Sequence, residues 1–280
     1  MALSDSIPTI VGSKVLESLQ NNLVYKALFN EDYQGNVAPG NAVKIVSPGS
    51  VTVGDYTEYT DMDEEAVTDS SQSLSIDQQK YFNIVIDDVD AAMAKPNIMA
   101  AYAKEAVYQL NDTVDSYLAG ILAAGGTIDT DLGDDTTPLE INSANAASTL
   151  QLIARLLDDA KVPRAGRVVV LPPWYVEDLV SANLSNLTNN TDVAANGFVG
   201  RYAGFNILMS HNVPNTTSAK YKIVAGTSIA ATMAMAIDKA EGMRHQKQFA
   251  DLMRGLIVYG SKVTRAGALA VATCNEADEA

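Results

Sequence analysis

The longest helical pattern in the sequence constrains the fold most. Apolar residues recur at steps of three and four from Met99 to Leu122, which is the spacing of one stripe along an α-helix. Pro96 suits a first helical turn, and Gly125-Gly126 supplies the glycines that commonly end a helix. A rod from Asn97 to Ala124 would be roughly 40 Å long. The pattern therefore predicts either a core helix or a spine that connects separate lobes.

The composition of the 280-residue chain excludes several classes of protein. With 34 Asp and Glu against 19 Lys and Arg, the formal charge is −15, and such a surface repels nucleic acid at long range. The single cysteine, Cys274, cannot form an internal disulfide, which fits a reducing compartment. No run approaches the ~20 apolar residues of a membrane span, and the N-terminus lacks the pattern of a secretory signal. We therefore expect a product that stays in the cytoplasm where it is made.

The first 86 residues change from a helical to a strand-like period. Ser13–Leu28 carries a short amphipathic helical pattern, whereas Val43–Val53 and Leu74–Ile86 alternate as strands do. Between the strands, residues 54–73 are polar and acidic. A hairpin with so polar a tip has little core of its own. The loop is therefore either solvated or an arm that becomes ordered on another subunit.

The rest of the chain predicts a compact α/β lobe and a strand that returns to the first half. Helical spacing marks Ser143–Asp159, and the apolar run Arg167–Leu171 is typical of a buried strand. A helix from Trp174 to Leu179 follows Pro172-Pro173. The remaining expected elements are a short helix beginning near Asp87, strands at Asn206–Ser210 and Tyr221–Ala225, a short helix at Ser228–Ala234, and a strand-like run at Gly255–Val271 with breaks at Gly260 and Gly267.

Signatures of catalysis and of cofactor binding are missing or incomplete. The only histidines, His211 and His245, are not at metal-ligand spacing. Gly35 and Gly40 have the glycine spacing of a phosphate-binding loop, but Asn41 follows where that loop requires lysine. The sequence therefore predicts no enzyme, no metal site and no cofactor.

A family resemblance rests on five runs in order along the chain: Ile7–Ile10 before a helix, Asp77–Asn83 at the close of the hairpin, Asn97–Ala124, Arg167–Trp174 and Gly255–Val263. In this order the chain resembles the tailed-bacteriophage major capsid proteins of the HK97-like fold. The resemblance implies an α+β fold with an N-terminal arm (1–35), an extended E-loop hairpin (36–86), a P-domain with a long spine helix (87–142), an α/β A-domain (143–240) and a return to the P-domain (241–280).

The resemblance also implies a function. It is that of a coat protein that self-assembles into pentamers and hexamers of an icosahedral shell around double-stranded DNA, in a virion assembled in the host cytoplasm. The implied partners are further copies of the chain, a separate scaffolding protein, a portal, decoration proteins in some members, and DNA bound without sequence specificity; no membrane is implied. An encapsulin-type nanocompartment shell protein and a soluble α/β enzyme remain the alternatives.

The contacts between subunits are expected at the hairpin, which lacks a core and should gain order by lying on a neighbour. Its acidic tip then requires basic partners. The expected contact residues are Tyr56, Glu58, Tyr59, Asp61, Asp63, Glu64 and Glu65 on the loop, and Arg164, Arg167, Arg201, Arg244, Lys247 and Arg254 as their partners. The polar face of the long helix is expected to meet solvent or the particle interior, and it comprises Lys104, Glu105, Gln109, Asp112 and Asp115.

Overall fold

Strand residues outnumber helical residues in the described part of the chain, and a long helix packs against both of the larger sheets. A computed structural model describes residues 23–32, 42–48, 53, 55–56, 58–59, 69–88, 98–127, 129–181, 198–216 and 220–277. The helices are α1 (Ile98–Gly125), α2 (Ala146–Asp159) and α3 (Pro173–Ser181), with 3-10 turns at Tyr25–Leu28, Thr130–Leu132 and Ala266–Ala268. The strands are β1 (Phe29–Asn30), β2 (Ala42–Pro48), β3 (Asp69–Ser75), β4 (Gln78–Asp87), β5 (Leu139–Ile141), β6 (Val168–Leu171), β7 (Phe198–Tyr202), β8 (Phe205–Met209), β9 (Asn215–Thr216), β10 (Lys220–Gly226), β11 (Ala231–Arg244), β12 (Ala250–Val263) and β13 (Leu269–Glu276).

A four-stranded sheet joins the two halves of the chain. Its strand order is β1-β11-β12-β4. β12 is antiparallel to both β11 and β4, and β1 adds two residues in parallel beside the start of β11. The strands β2 and β3 form a separate antiparallel hairpin of seven residue pairs, from Ala42↔Ser75 to Pro48↔Asp69. The strand that closes the hairpin in sequence, β4, therefore leaves it and enters the larger sheet.

The second sheet has seven strands in the order β5-β13-β10-β6-β8-β7, with β9 paired to β10. All four residues of β6 are buried, as the apolar run predicts. Successive side chains of a strand point to opposite faces, and Val169 and Leu171 face a core with α2 and α3. Val168 and Val170 face the other way, into the core around α1. Burial on both faces explains why this strand has no polar residue.

The helix predicted over Asn97–Ala124 is confirmed, with observed bounds of Ile98–Gly125. Its buried stripe includes Val107, Val114 and Leu122 and belongs to a single core cluster. The four-stranded sheet contributes Met233, Met235, Ile257 and Tyr259 to that cluster, and the seven-stranded sheet contributes Val168, Val170, Val224 and Val271. The helix therefore packs on both sheets, as expected of a spine.

The helix expected at Ser228–Ala234 is wrong. A turn occupies the first residues, and β11 begins at Ala231. Alanine and methionine favour helices, which explains the misreading. In the folded chain Met233 and Met235 face the core around α1, whereas Ala234 packs on the opposite side. β11 pairs with β12 from Ala231↔Val263 to Arg244↔Asp251, with one irregularity between Ile237 and Lys239.

The end of the chain also differs from the expected single run with two breaks. Gly260 does not interrupt β12, which continues to Val263, and Gly267 lies in the 3-10 turn before a separate strand, β13. β13 pairs with β10 and β5 of the seven-stranded sheet.

The strand β7 was not expected. The expected helix at Ser13–Leu28 lies mostly outside the described residues, and its end, Tyr25–Leu28, is a 3-10 turn; the short helix expected near Asp87 also lies mostly outside them.

Candidate intersubunit contact sites

The hairpin β2–β3 is attached at its base to the four-stranded sheet. Ile45, Leu74 and Ile76 are buried together with Ala234 of β11 and Val258 of β12. The residues on either side of Val258 belong to the core around α1. Because successive residues of a strand alternate between faces, the hairpin lies on the outer face of the sheet, opposite α1.

Gly260 permits this close approach of the hairpin to β12. A Cβ atom at Gly260 would lie 2.1 Å from the carbonyl oxygen of Ser75 and 2.9 Å from Cα of Ile76. Both are backbone atoms, so β3 itself would have to move to admit a side chain. The glycine that the sequence pattern marks as a strand break is therefore the point where two strands cross.

Two hydrogen bonds hold the same crossing from its edges. The side-chain amide of Gln72 donates to the carbonyl oxygen of Thr264 at 3.2 Å, and Nζ of Lys262 donates to the carbonyl oxygen of Ser73 at 3.0 Å. One donor comes from β3 and the other from β12, and both acceptors are backbone carbonyl groups. The base of the hairpin is therefore fixed by packing and by hydrogen bonds together.

The far part of the hairpin carries exposed side chains. Val53, Tyr56 and Tyr59 are 94%, 72% and 102% exposed, and Asp55 and Glu58 are exposed beside them. Three large apolar side chains this exposed on one arm indicate an interaction surface. The acidic residues expected to share it, Asp61, Asp63, Glu64 and Glu65, lie outside the described residues.

An open pocket of about 330 Å³ lies on the outer face of the four-stranded sheet. Its walls include Tyr81 and Asn83 of β4, Arg254 and Leu256 of β12, and Glu241 of β11. Nη2 of Arg254 lies 2.6 Å from Oε2 of Glu241, and Tyr81 is 76% exposed. An exposed ring next to an exposed ion pair can receive both aromatic and charged side chains.

Two more of the expected cations lie at one end of this sheet. Arg244 donates to the carboxylates of Asp88 and Asp251, which raise the pKa of its guanidinium. Lys247 is exposed in the turn between β11 and β12 and has no ion pair among the described residues. Exposed ion pairs contribute little to stability, so the partners of Arg244 can be exchanged without unfolding the sheet.

Asp158 at the end of α2 binds the expected contact residues Arg164 and Arg167. Arg164 is exposed and lies 2.5 Å from Oδ2, whereas the Arg167 side chain is 2% exposed and lies 2.8 Å from Oδ1. The remaining donors of Arg167 bind the backbone carbonyls of Ala154, Val162 and Pro163. The two arginines hold the pKa of Asp158 below its usual range. The expectation that Arg167 is a surface contact is therefore wrong, because its guanidinium is buried and used within its own chain.

Arg201, the remaining expected cation, is exposed on β7. Its Nε donates to the side-chain oxygen of Asn206 on β8 at 2.8 Å. The structure thus places Arg244, Lys247 and Arg254 on the four-stranded sheet and Arg164 and Arg201 on the lobe around the seven-stranded sheet. It does not bring the two groups together into one site.

A buried carboxylate joins the N-terminal segment to α1. The backbone N–H of Tyr25 donates to Oδ1 of Asp115 at 2.9 Å, and Oγ of Ser210 lies 3.5 Å from Oδ2. One turn earlier on the helix, Asp112 accepts from the side-chain amide of Asn212 at 2.8 Å. Three separate parts of the chain therefore meet at this point: the N-terminal segment, the spine helix and the loop after β8.

The expectation that Asp115 faces solvent or the particle interior is wrong, because it is 4% exposed. The other residues of that set, Lys104, Glu105, Gln109 and Asp112, are exposed. Burial raises the pKa of Asp115 to about 6. The sequence holds one signal of this burial: Asp115 lies three residues before Leu118, at the edge of the apolar stripe, where a helical side chain is still covered by its neighbours.

Metal and membrane sites were searched in the described part of the chain. There, no three side chains of His, Cys, Asp or Glu are grouped so that they could hold a metal ion. No described helix is long and apolar enough to cross a membrane. Cys274 is buried, and burial raises the pKa of its thiol to about 12. A thiol with so high a pKa is a weak nucleophile.

Comparison with known proteins places the chain in a family. The sequence profile of the phage capsid protein family matches residues 50–272. The chain belongs to the phage capsid protein family. A search among curated proteins gave no match. This capsid protein is similar to a solved structure from Mycobacterium phage Che8, with 28% identity over 89% of this chain and 90% of that chain and a TM-score of 0.71.

Two further structures show the same fold at lower identity. The capsid structure of the cyanophage P-SCSP1u shares 19% identity over 86% of this chain and 85% of that chain, with a TM-score of 0.66. The mature capsid of bacteriophage PhiM1 shares 16% identity over 90% of this chain and 87% of that chain, with a TM-score of 0.64. The protein is thus a tailed-phage major capsid protein with the HK97-like α+β fold. It is a structural component of the virion, where its copies associate into a shell. The encapsulin alternative is not favoured.

Proposed function

We propose that copies of this capsid protein form the pentamers and hexamers of an icosahedral shell that encloses double-stranded DNA. In this proposal the hairpin β2–β3 is the E-loop by which each copy holds its neighbour. The proposal rests mainly on the difference in burial between the base of the hairpin and its far part. Its base is buried against β11 and β12, whereas Val53, Tyr56 and Tyr59 beyond it are almost fully exposed.

The receiving surface on the neighbour is the outer face of the four-stranded sheet. The pocket beside Tyr81 offers an exposed ring and the aliphatic stem of Arg254, which suit the tyrosines of the arm. Lys247 and the exchangeable pairs of Arg244 and Arg254 suit the acidic residues of the arm. Each such contact is weak alone, but the symmetry of a shell repeats it in every copy.

The remaining roles follow from charge and from the family. The net charge of −15 allows packaged DNA to lie against the shell without sequence-specific binding. A separate scaffolding protein, a portal and decoration proteins are proposed partners, and the protein itself is proposed to have no catalytic activity. The division into arm (1–35), E-loop (36–86), P-domain (87–142), A-domain (143–240) and return (241–280) belongs to the same proposal.

The proposed role of the hairpin in holding a neighbouring copy is tested by shortening the hairpin. Replacing residues 49–68 with Asn-Gly preserves all seven pairs of β2–β3 and closes them with a favoured two-residue turn. The shortened protein should remain a folded monomer in size-exclusion chromatography but form no particles in negative-stain electron microscopy. A matched full-length variant with Tyr56→Ser and Tyr59→Ser should assemble only at higher protein concentration. Shells of normal yield and stability from the shortened protein would show that the hairpin does not hold the neighbour.

A further inference from the structure

A second open pocket, of about 350 Å³, lies where three turns meet. The turns follow α2, β10 and β12, and the pocket shares no lining residue with the pocket beside Tyr81. Lys161, Thr227 and Arg265 line it together with the apolar residues Pro163 and Ala268. Its described lining therefore holds two cations and no carboxylate.

Neither cation is neutralised within the described part of the chain. Lys161 and Arg265 have no ion pair and no side-chain hydrogen bond there. For Arg265 this is unusual, because five of the six other arginines have an acidic partner. Those five are Arg155, Arg164, Arg167, Arg244 and Arg254, whereas among the described lysines only Lys26 and Lys222 have an ion pair.

The backbone at Lys161 is held in a conformation that its side chain disfavours. Helix α2 ends in a Schellman motif, in which the N–H of Lys161 donates to the backbone carbonyl oxygen of Asp158 and the N–H of Val162 donates to that of Leu157. Lys161 has φ of 57°, in the left-handed region where glycine is the usual residue. Local structure thus favours glycine at this position, and a lysine there suggests a role for its side chain.

The other side of the pocket is held by backbone hydrogen bonds. The N–H groups of Thr264 and Arg265 both donate to the carbonyl oxygen of Ala230 at 2.9 Å, so the turn after β12 is fixed to the start of β11. The hydroxyl of Thr227 is buried and has no hydrogen-bond partner among the described residues. Buried polar groups are normally paired. Thr227 lines the pocket, so a ligand there that offers an acceptor could receive a hydrogen bond from this hydroxyl after rotation about the Cα–Cβ bond.

We propose that this pocket binds a carboxylate of a second copy of the capsid protein, held between Lys161 and Arg265. A carboxylate accepts charge-assisted hydrogen bonds from both cations and offers the Thr227 hydroxyl an acceptor. A second copy is the occupant because the copies of this family associate into a shell and because each copy carries an excess of acidic groups. The inference rests on that association but not on the hairpin, so either proposal can fail alone.

The test uses a variant that removes the cation without harming the fold. Lys161→Gly should leave the melting temperature of the monomer unchanged or higher, since glycine suits the left-handed conformation, but should raise the critical concentration for assembly at least tenfold. Arg265→Gln should do the same, and the double variant should add little, because both residues hold one group. Lys104→Gln, which removes an exposed cation from α1, is the matched control and should assemble as wild type.

Cross-linking then identifies the occupant. Shells are assembled from a mixture of ¹⁵N-labelled and unlabelled protein and treated with a carbodiimide, which joins amines to adjacent carboxylates. Mass spectrometry should find Lys161 joined to an Asp or Glu of a differently labelled copy. The proposal is overturned if Lys161→Gly and Arg265→Gln assemble like wild type. It is also overturned if Lys161 is cross-linked only to residues of its own copy. Binding of inorganic phosphate at Lys161, with the assembly of both variants unchanged, would overturn it as well.

Discussion

The backbone N–H of Tyr25 donates a 2.9 Å hydrogen bond to the carboxylate of Asp115, ninety residues further along the chain. That carboxylate is 4% exposed and has no ion pair among the described residues. A charged group removed from water without a cation is disfavoured. The attachment of the N-terminal segment to the spine helix therefore depends on the protonation state of one side chain.

Stability should depend on pH through Asp115. Its pKa is about 6 in the folded protein against 3.8 ordinarily, so between these values the folded state binds more protons than the unfolded state. The free energy of unfolding should then fall as pH rises from about 4 to about 6, by on the order of 3 kcal/mol. Asp115→Asn retains an acceptor for Tyr25, and it should flatten this slope and raise the melting temperature at pH 7.5.

Urea unfolding at several pH values measures the effect of Asp115. Asp112→Asn removes an exposed carboxylate from the same helix and is the matched control, with the pH dependence of wild type. If Asp115→Asn and wild type show the same slope between pH 4 and pH 6, the buried carboxylate is not the source of the dependence.

A methyl group at Gly260 should detach the base of the hairpin. The added Cβ would lie 2.1 Å from the carbonyl oxygen of Ser75, so Gly260→Ala should cost about 1–3 kcal/mol, as overpacking does. Amide hydrogen exchange should show faster exchange along β3. Gly242→Ala in the adjacent strand β11 meets no atom within 4 Å and should leave the exchange unchanged. Protected β3 amides in Gly260→Ala would contradict the close crossing.

A charge in the buried stripe of α1 should prevent folding rather than assembly alone. Val114 is 0% exposed in the core shared by both sheets, and an unpaired carboxylate there would cost several kcal/mol. Val114→Asp should therefore give no soluble native monomer. The neighbouring exposed residue supplies the control, and Thr113→Asp should fold. Circular dichroism and size-exclusion chromatography distinguish the two results, and a native-like Val114→Asp monomer would disprove the assigned stripe.

The two arginines that share Asp158 should differ in their contribution to stability. Arg167→Met leaves buried carbonyl groups without their donor and should lower the free energy of unfolding by about 3–5 kcal/mol. Arg164→Met breaks an exposed pair and should cost much less. Chemical denaturation of both variants compares them directly. Equal losses would mean that burial of Arg167 does not set the strength of its interaction.

The elements that could be predicted from the sequence are those whose signal is local. The stripe of α1 and the apolar run of β6 each indicate burial by their own spacing. β11 could not be recognised in this way, because Ala231 to Ala236 reads as a helical composition and its strand form depends on β12, a later segment. Pairing between distant segments overrides local propensity in this strand.

Two residues that were expected at the surface show the same limit. Arg167 and Asp115 are charged residues that normally lie at the surface, and each is buried with backbone groups as hydrogen-bond partners. The partner of Asp115, Tyr25, is ninety residues away, so no local pattern could indicate it. The partners of Arg167 include Val162 and Pro163, five and four residues before it, but the side-chain pattern there does not show that their carbonyl groups are buried. The pocket at Lys161 did have a local signal, since α2 ends without the glycine that usually follows a helix.

The strands β11 and β12 carry a buried cluster on each face. Ala234 and Val258 pack against the hairpin, and the intervening Met233, Ile257 and Tyr259 pack against α1. In the proposed assembly, tension that a neighbouring copy applies to the hairpin would pass through these two strands to the spine helix. Pressure inside such a shell would then load the hairpin, the four-stranded sheet and the spine helix together, and the two buried clusters would resist their separation.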